Sequence, residues 1–152
     1  MDTQQVEITG RSLLISVFVS ENLEVAQPLR DKGIDLIVYM DDSIHGFGSL
    51  PIQLKSARKE TFSISKKYLN MPNLYMAYVW HVEKPQESSI FIMRHTVAVS
   101  IAENHGYTKN NSWTKEKGEW SVSSISDQGR LKQSLEPYRY MPGNMNKLLG
   151  LT

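Results

Sequence analysis

A short apolar run with one acid inside it constrains this chain more than any other feature of its sequence. Ile34 to Tyr39 reads Ile-Asp-Leu-Ile-Val-Tyr, and its β-branched residues are typical of a buried strand. The tripeptide Asp31-Lys32-Gly33 before it predicts a turn. The carboxylate of Asp35 is costly to bury unless a cation pairs with it. The run therefore predicts a lysine or a metal ion close to Asp35.

A second strand offers candidates for that partner. Leu50 to Ser56 alternates apolar residues with Gln53 and Lys55. Because side chains alternate faces along a strand, Gln53 and Lys55 share one face, while the apolar residues between them point to the core. If the two strands form a hairpin, Asp35 lies beside Gln53. A carboxylate, an amide oxygen and an ammonium group then converge.

These three groups have the chemistry of a divalent-metal site that hydrolyses a phosphodiester. Asp35 offers Mg²⁺ or Mn²⁺ a charged oxygen, and the Gln53 amide and the Leu54 backbone carbonyl offer neutral ones. Lys55 would orient or deprotonate the attacking water and offset the charge of the transition state. Because Gln53 replaces the more usual second carboxylate, we expect weak metal binding. Taken alone, such an acid also caps turns, and Gln-x-Lys also suits a solvated strand face.

The remaining patterns predict one mixed α/β domain spanning residues 1–152. Residues 8–23 form an apolar block that suits either a helix entered at Thr9 or a strand. A helix is predicted from Thr96 to the stop at His105-Gly106, and a short one around Leu131, closed by Pro137. Further strands are predicted over residues 62–65, 74–82, 90–93 and 119–125. Strands in the middle of the chain with helices on either side indicate a mixed sheet flanked by helices.

The segments Gly33-Ile34-Asp35-Leu36-Ile37 and Pro51-Ile52-Gln53-Leu54-Lys55-Ser56 resemble a known pattern. They are similar to the PD-(D/E)xK, or restriction endonuclease-like, nuclease superfamily. The variant they resemble is the D…QxK form of Mrr-type restriction endonucleases and related bacterial domains of unknown function. The resemblance covers roughly residues 8–95 and implies a helix, a three-stranded meander that holds the acid and the x-K pair, then a helix and a further strand. It also implies metal ligation by Asp35 and Gln53, with Lys55 as the catalytic lysine.

The first helix departs from that superfamily pattern. Many members carry a glutamate there, commonly just after a glycine, whereas here Gly10 is followed by Arg11. Glu7 is the nearest substitute, although an acid is also ordinary at a helix start. Three interpretations stay open: a Mg²⁺-dependent deoxyribonuclease of DNA defence or repair, a catalytically degenerate member of the same fold that binds nucleic acid or protein, and an unrelated α/β domain.

A local basic cluster predicts contacts with DNA. The whole chain has 17 Lys and Arg against 16 Asp and Glu, so its net charge indicates no polyanionic partner. Residues 55–67, however, hold five cations and one acid. Four of these cations are predicted to bind phosphates beside the site: Arg58, Lys59, Lys66 and Lys67. Trp113, Trp120 and Tyr107 could stack on bases, but such aromatics more often anchor a loop to the core.

Composition and motifs exclude several other chemistries. The chain has no cysteine, so a disulfide scaffold, a cysteine nucleophile and a cysteine-ligated zinc are excluded. It has no P-loop or dinucleotide fingerprint, and its four histidines show no metal-ligand spacing, so we expect no nucleotide cofactor and no histidine metal site. The apolar stretches fall far short of the roughly 20 residues that span a membrane. We expect a cytoplasmic protein without a membrane partner, and consider a homodimer through the aromatic strand 74–82.

Overall fold

The computed structural model of the chain describes residues 1–44, 46–122 and 129–151. In these residues a five-stranded mixed sheet and a separate two-stranded sheet combine with three substantial helices, so the predicted mixed α/β class is confirmed. Short 3₁₀ turns cover residues 66–68, 85–87, 107–109 and 136–138. The helices and strands are α1 (Thr3–Ser20), β1 (Glu24–Ala26), β2 (Leu36–Asp42), β3 (Gly46–Ser56), β4 (Phe62–Ser65), β5 (Tyr75–Trp80), β6 (Ser89–Arg94), α2 (His95–Asn104), α3 (Asn111–Thr114), β7 (Glu119–Val122), α4 (Gly129–Leu135) and α5 (Met145–Leu148).

The ambiguous apolar block belongs to α1, which begins at Thr3 rather than at Thr9. A capping box starts it, because Asp2 Oδ1 accepts the Gln5 N–H at 2.9 Å and Gln5 Oε1 accepts the Asp2 N–H at 2.8 Å. The buried positions recur every four residues, so one helical stripe faces the sheet. They are Val6, Gly10, Leu14 and Phe18. The block is therefore helical: packing against the sheet favours the helix, which the periodicity of the sequence alone could not distinguish from a strand.

The main sheet has the strand order β1-β2-β3-β5-β6. The strands pair antiparallel except β3 and β5, which run parallel. The predicted hairpin of β2 and β3 is confirmed, and β3 begins at Gly46, four residues before the predicted start at Leu50. The chain between β3 and β5 carries β4, which pairs with β7 above the main sheet.

Both faces of the main sheet are covered. One face packs on α1 and α5, and the other packs on α2, α4 and the small sheet. All six residues of β5 are buried as a result. The aromatic strand is therefore not available as a dimer surface. Trp113 and Trp120 are buried in the core between the main sheet, α2 and the small sheet, as expected for aromatics that anchor a loop.

The candidate site lies where β3 extends beyond the paired part of β2. The register of β2 and β3 ends at Leu36 opposite Ile52, whereas β3 continues beside β5 as far as Ser56. The last residues of β3 therefore have no β2 neighbour, and the start of α1 lies next to that free edge. Within the described ranges, none of the helices has the length and hydropathy required to cross a bilayer.

Candidate active site

Asp35 immediately precedes β2 and binds the backbone of β3 at two points. Its N–H donates to the Ile52 carbonyl at 2.8 Å, and its Oδ2 accepts the Leu54 N–H at 2.6 Å. The two bonds bracket Gln53. Because β2 does not extend beside Leu54, the carboxylate satisfies an N–H that has no β2 partner. Within the described residues, the other carboxylate oxygen of Asp35 has no hydrogen bond, so it is open to a further partner.

Gln53 is buried, with 8% of its surface exposed, so its side chain does not lie on a solvated strand face. Its Nε2 donates to the Leu54 carbonyl at 3.3 Å. Its Oε1 is shielded from solvent and has no hydrogen-bond partner in the described part of the chain. An unsatisfied buried acceptor costs about 1–3 kcal/mol, so a partner that reached this amide oxygen would stabilise the folded protein.

The predicted site residues meet at one cavity of about 270 Å³. It lies between the first turns of α1 and the free edge of β3. Its polar lining includes Asp35, Gln53 and Lys55, together with Glu7 from α1. The structure thus places the three predicted residues at one cavity. Glu7, the substitute predicted for the missing helix glutamate, lines the same cavity from α1.

Lys55 is partly exposed and lines two cavities. The first is the one shared with Asp35, and the second is a smaller cavity of about 80 Å³ that also touches Tyr68 and Glu119. Among the residues that the structure describes, the Lys55 ammonium makes no hydrogen bond or ion pair. Its amine is therefore free to act on a group bound in the larger cavity.

The acid on α1 already has a cationic partner. Arg11 Nη2 donates to Glu7 Oε1 at 2.6 Å, one helical turn along the same face. Within the described residues, no three His, Asp or Glu side chains lie close enough together to hold a metal ion. Of the predicted ligand oxygens, one carboxylate oxygen of Asp35 has no hydrogen bond within the described residues, the Gln53 amide oxygen is shielded from solvent beside the cavity, and the Leu54 carbonyl accepts Gln53 Nε2. Such oxygen donors fit Mg²⁺ or Mn²⁺, and their low charge predicts weak binding.

Burial is the main influence on the Asp35 carboxyl and raises its pKa above the usual aspartate value. The negative charges of Asp31 and Glu7 raise the pKa further, whereas the Leu54 N–H and the Arg11 guanidinium lower it. The group therefore keeps its proton to a higher pH than a solvated aspartate does. A bound cation would oppose this effect by favouring the ionised carboxylate.

Two of the four basic residues predicted to bind nucleic acid are engaged in contacts elsewhere. Lys66 Nζ donates to the Lys115 carbonyl at 3.0 Å, and Lys67 Nζ lies 5.0 Å from the Tyr68 ring centroid. The other two, Arg58 and Lys59, line a groove of about 340 Å³ that shares Thr3 and Val6 with the cavity of Asp35.

The charges of Arg58 and Lys59 differ in how they are balanced. Arg58 Nε lies 3.0 Å from Glu83 Oε1 in an exposed ion pair. Lys59 is exposed and has no ion pair among the described residues. Lys59 therefore retains the least compensated charge of the predicted cluster.

Asp31 is the site residue that the sequence prediction missed. It lines the cavity with Asp35, and its Oδ1 accepts the Gly33 N–H at 2.9 Å. Sequence reasoning assigned it to a turn, which is correct for its backbone. The available signal was its position four residues before Asp35 in the loop that leads into the same strand.

Comparison of this chain with protein-family models, curated proteins and solved structures finds no match.

Proposed function

We propose that this protein is a metal-dependent DNA endonuclease with a restriction endonuclease-like core of the PD-(D/E)xK type. The observation that carries the proposal is the shared cavity of Asp35, Gln53 and Lys55, beside which the buried Gln53 holds an amide oxygen that has no hydrogen-bond partner among the described residues. The first helix and the following antiparallel meander β1-β2-β3, which carries the acid and the Gln-x-Lys segment, support the same fold. The helix expected directly after the meander is not there: the chain from β3 to β5 carries β4 and a 3₁₀ turn, and α2 follows β6.

The residues that would hold a Mg²⁺ or Mn²⁺ ion are Asp35, Gln53 and, through its backbone carbonyl, Leu54. The ion would supply Lewis-acid polarisation of a phosphate oxygen when bound. The chain's own contribution is to position these oxygens: the Leu54 N–H fixes one carboxylate oxygen of Asp35, and the sheet packing immobilises Gln53.

Lys55 supplies a proton-transfer and charge-stabilising group at its Nζ. Lys55 follows the buried residues 52–54 of β3 and lines the same cavity as Asp35. In the ammonium form it would stabilise negative charge that develops on a phosphate, and in the amine form it would accept a proton from water. Both roles require an amine that is not already paired, and Lys55 Nζ makes no hydrogen bond or ion pair among the described residues.

DNA is the substrate that the surrounding charge favours. Arg58 and Lys59 lie along a groove that joins the cavity, and cationic side chains supply most of the sequence-independent affinity of proteins for DNA. The cysteine-free composition suits a protein of the reducing cytoplasm, where such an enzyme would meet DNA.

A nicking assay on supercoiled plasmid tests this function. The purified chain is expected to nick or cut DNA with Mg²⁺ or Mn²⁺, and EDTA is expected to stop the reaction. Lys55→Met should lose at least a hundredfold in rate while keeping its circular dichroism spectrum, whereas Lys109→Met, at an exposed lysine outside this cavity, should cut like wild type. Undiminished cutting by Lys55→Met would remove Lys55 from the reaction.

A second candidate is a catalytically degenerate module of the same fold that binds nucleic acid or a protein. The ion pair of Arg11 with Glu7 favours it, because it neutralises the only acid that α1 contributes to the cavity. Electron paramagnetic resonance of added Mn²⁺ separates the two candidates. The enzyme predicts a saturable site that Asp35→Asn weakens, and the binding module predicts none.

A further inference from the structure

The loop that leads into β2 places a second carboxylate beside Asp35. Asp31 and Asp35 both line the central cavity of about 270 Å³, and both also line a neighbouring cavity of about 250 Å³. Burial is the main cause of the raised pKa of Asp35, and the negative charge of Asp31 adds to it, so the two carboxylates lie within electrostatic range of each other. Asp31 therefore reaches the same space as Asp35 from a different segment of the chain.

Both carboxylates are half-occupied by the backbone. Asp31 Oδ1 accepts the Gly33 N–H at 2.9 Å, and Asp35 Oδ2 accepts the Leu54 N–H at 2.6 Å. Among the described residues, the other oxygen of each acid has no hydrogen bond and neither acid has an ion pair. Each acid thus has one oxygen fixed in place and one oxygen open to a ligand.

The charges that line the two cavities favour a cation. The acids are Glu7, Asp31 and Asp35, and the cations are Arg11 and Lys55. Glu7 and Arg11 neutralise each other in an ion pair of 2.6 Å, which leaves two carboxylates against one ammonium group. The excess charge of the lining is negative, so it attracts cations and repels anions.

A neutral oxygen at the same cavity independently points to a ligand. Gln53 lines the central cavity with 8% of its surface exposed, and its Oε1 has no hydrogen-bond partner among the described residues. Buried acceptors are normally satisfied, and hard divalent cations bind amide and carboxylate oxygens together. In the described ranges no three acidic or histidine side chains form a metal-binding group, so a site here has to combine two carboxylates with neutral oxygens.

We propose that Asp31 is a ligand of the divalent cation and supplies the second carboxylate of its site. The inference rests on the proposed function and deepens it, because the ligand set of that function has one carboxylate, from Asp35. Mg²⁺ sites in proteins commonly use one or two carboxylates and complete the shell with water. Asp31 is exposed, so a hydrated ion can reach it from solvent.

Electron paramagnetic resonance of free Mn²⁺ measures the affinity of the whole chain for the ion. Asp31→Asn keeps an oxygen for the Gly33 N–H and removes the charge, so the dissociation constant for Mn²⁺ should rise about tenfold while the loop keeps its turn. Asp31→Ser, whose hydroxyl can also accept that N–H, should weaken binding to the same extent. The matched control is Asp41→Asn, at an exposed acid that lines neither cavity, and it should bind Mn²⁺ like the wild type.

Salt separates direct ligation from a long-range effect of charge. At about 1 M NaCl the Debye length is roughly 3 Å, against roughly 10 Å at about 0.1 M, so the higher salt screens exposed charges that do not touch the ion. The difference between the wild type and Asp31→Asn should persist at the higher salt. Thermal unfolding without metal should give similar Tm values for the wild type and both Asp31 variants.

The outcomes distinguish this inference from the proposed function. If the wild type has no saturable Mn²⁺ site, the metal-dependent function fails together with the Asp31 ligand. If the wild type binds Mn²⁺ and both Asp31 variants bind it equally well, or if their deficit disappears at high salt, the ligand role of Asp31 alone is overturned. If Mn²⁺ binding depends on Asp31 but the wild type cuts no DNA, the nuclease function fails and the cation site stands.

Discussion

Gly10 of α1 lies so close to Ser56 of β3 that a Cβ atom at position 10 would come within 2.6 Å of the Ser56 Cβ. This contact lets the helix approach the end of β3, where the site cavity begins. Glu7 lies three residues before Gly10 on the helix and lines the cavity, so the same contact influences how closely Glu7 approaches β3. The glycine is required by close approach rather than by an unusual backbone angle.

Gly10→Ala is expected to lower the free energy of unfolding by about 1–3 kcal/mol, because the added methyl group overpacks the helix against Ser56. Urea unfolding measures the loss. Ser56→Gly in the same chain should recover part of it, since it removes the side chain that the methyl group meets. Gly129→Ala, at a helical glycine with no heavy atom within 4 Å of its Cβ position, is the matched control. Equal stability of the two alanine variants would contradict the contact.

Gln53→Glu is expected to tighten Mn²⁺ binding about tenfold, because it adds a negative charge to a ligand set that has one carboxylate. Titration calorimetry measures the affinity at pH 7.5. Gln53→Met, which keeps the length of the side chain and removes its oxygen, should weaken binding. Thermal unfolding of both variants without metal controls for damage to the fold. An unchanged affinity in both would show that Gln53 is not a ligand.

Asp35→Asn should stabilise the metal-free protein at neutral pH. Burial raises the pKa of Asp35, so the folded state disfavours its ionised form. The stability of the wild type therefore falls as the pH rises from the usual aspartate value through the raised pKa, while the asparagine variant lacks this loss and keeps an acceptor for the Leu54 N–H. We expect Tm to rise by a few degrees at pH 7.5, with a gain that shrinks toward pH 4.

The control for that comparison is Asp41→Asn, at an exposed position of β2. Its Tm should stay close to that of the wild type at both pH values. If Asp35→Asn were less stable than the wild type at pH 7.5, the ionised carboxylate would be stabilised by its surroundings and the expected sign would be wrong.

His95 is expected to make the protein sensitive to mild acid. It is 1% exposed at the start of α2, and burial lowers its pKa to about 4. In the unfolded chain the histidine has a pKa of about 6.5. Between pH 6.5 and about 4, His95 is therefore protonated mainly in the unfolded state. The free energy of unfolding should therefore fall by about 2–3 kcal/mol as the pH drops through this window.

Urea unfolding from pH 7.5 to pH 4.5 checks the contribution of His95. His95→Gln should be less stable at pH 7.5, because the ring packs on Tyr68 and its Nε2 accepts the Ser65 N–H at 3.4 Å, but its stability should change less with pH. His105→Gln should keep the wild-type slope, since His95 is still present. A slope that survives in His95→Gln would assign the acid sensitivity to other groups.

The local sequence pattern was sufficient to predict the two strands that carry the candidate site. The alternation around Gln53 and Lys55 and the β-branched run after Asp35 predicted the hairpin, because the backbone of a strand fixes which side chains share a face. The same reasoning left α1 open. Its apolar residues satisfy both periods, and the capping box of Asp2 with Gln5 and the sheet beneath the helix decide between them.

What each cation contacts was beyond the reach of the sequence. Arg58, Lys59, Lys66 and Lys67 form one basic segment in the sequence, yet Lys66 binds a backbone carbonyl of a distant loop and Arg58 pairs with Glu83. Ion pairs depend on which segments the fold brings within a few ångströms, and no local pattern encodes that distance. For this reason the structure was needed to show that Lys59, and not Arg58, is the cation of this groove without an ion pair among the described residues.

The sequence by itself predicted the hairpin, the shared face of Gln53 and Lys55 and the position of Asp35 at the start of its strand, because these depend on backbone periodicity over a few residues. Only the tertiary structure decided that Gln53 is buried, with an oxygen that has no partner among the described residues, that Arg58 pairs with Glu83, and that Asp31 joins the cavity. Burial and charge pairing arise from contacts between segments far apart in the chain, so they exist only once the helix, the sheet and the loop have packed together.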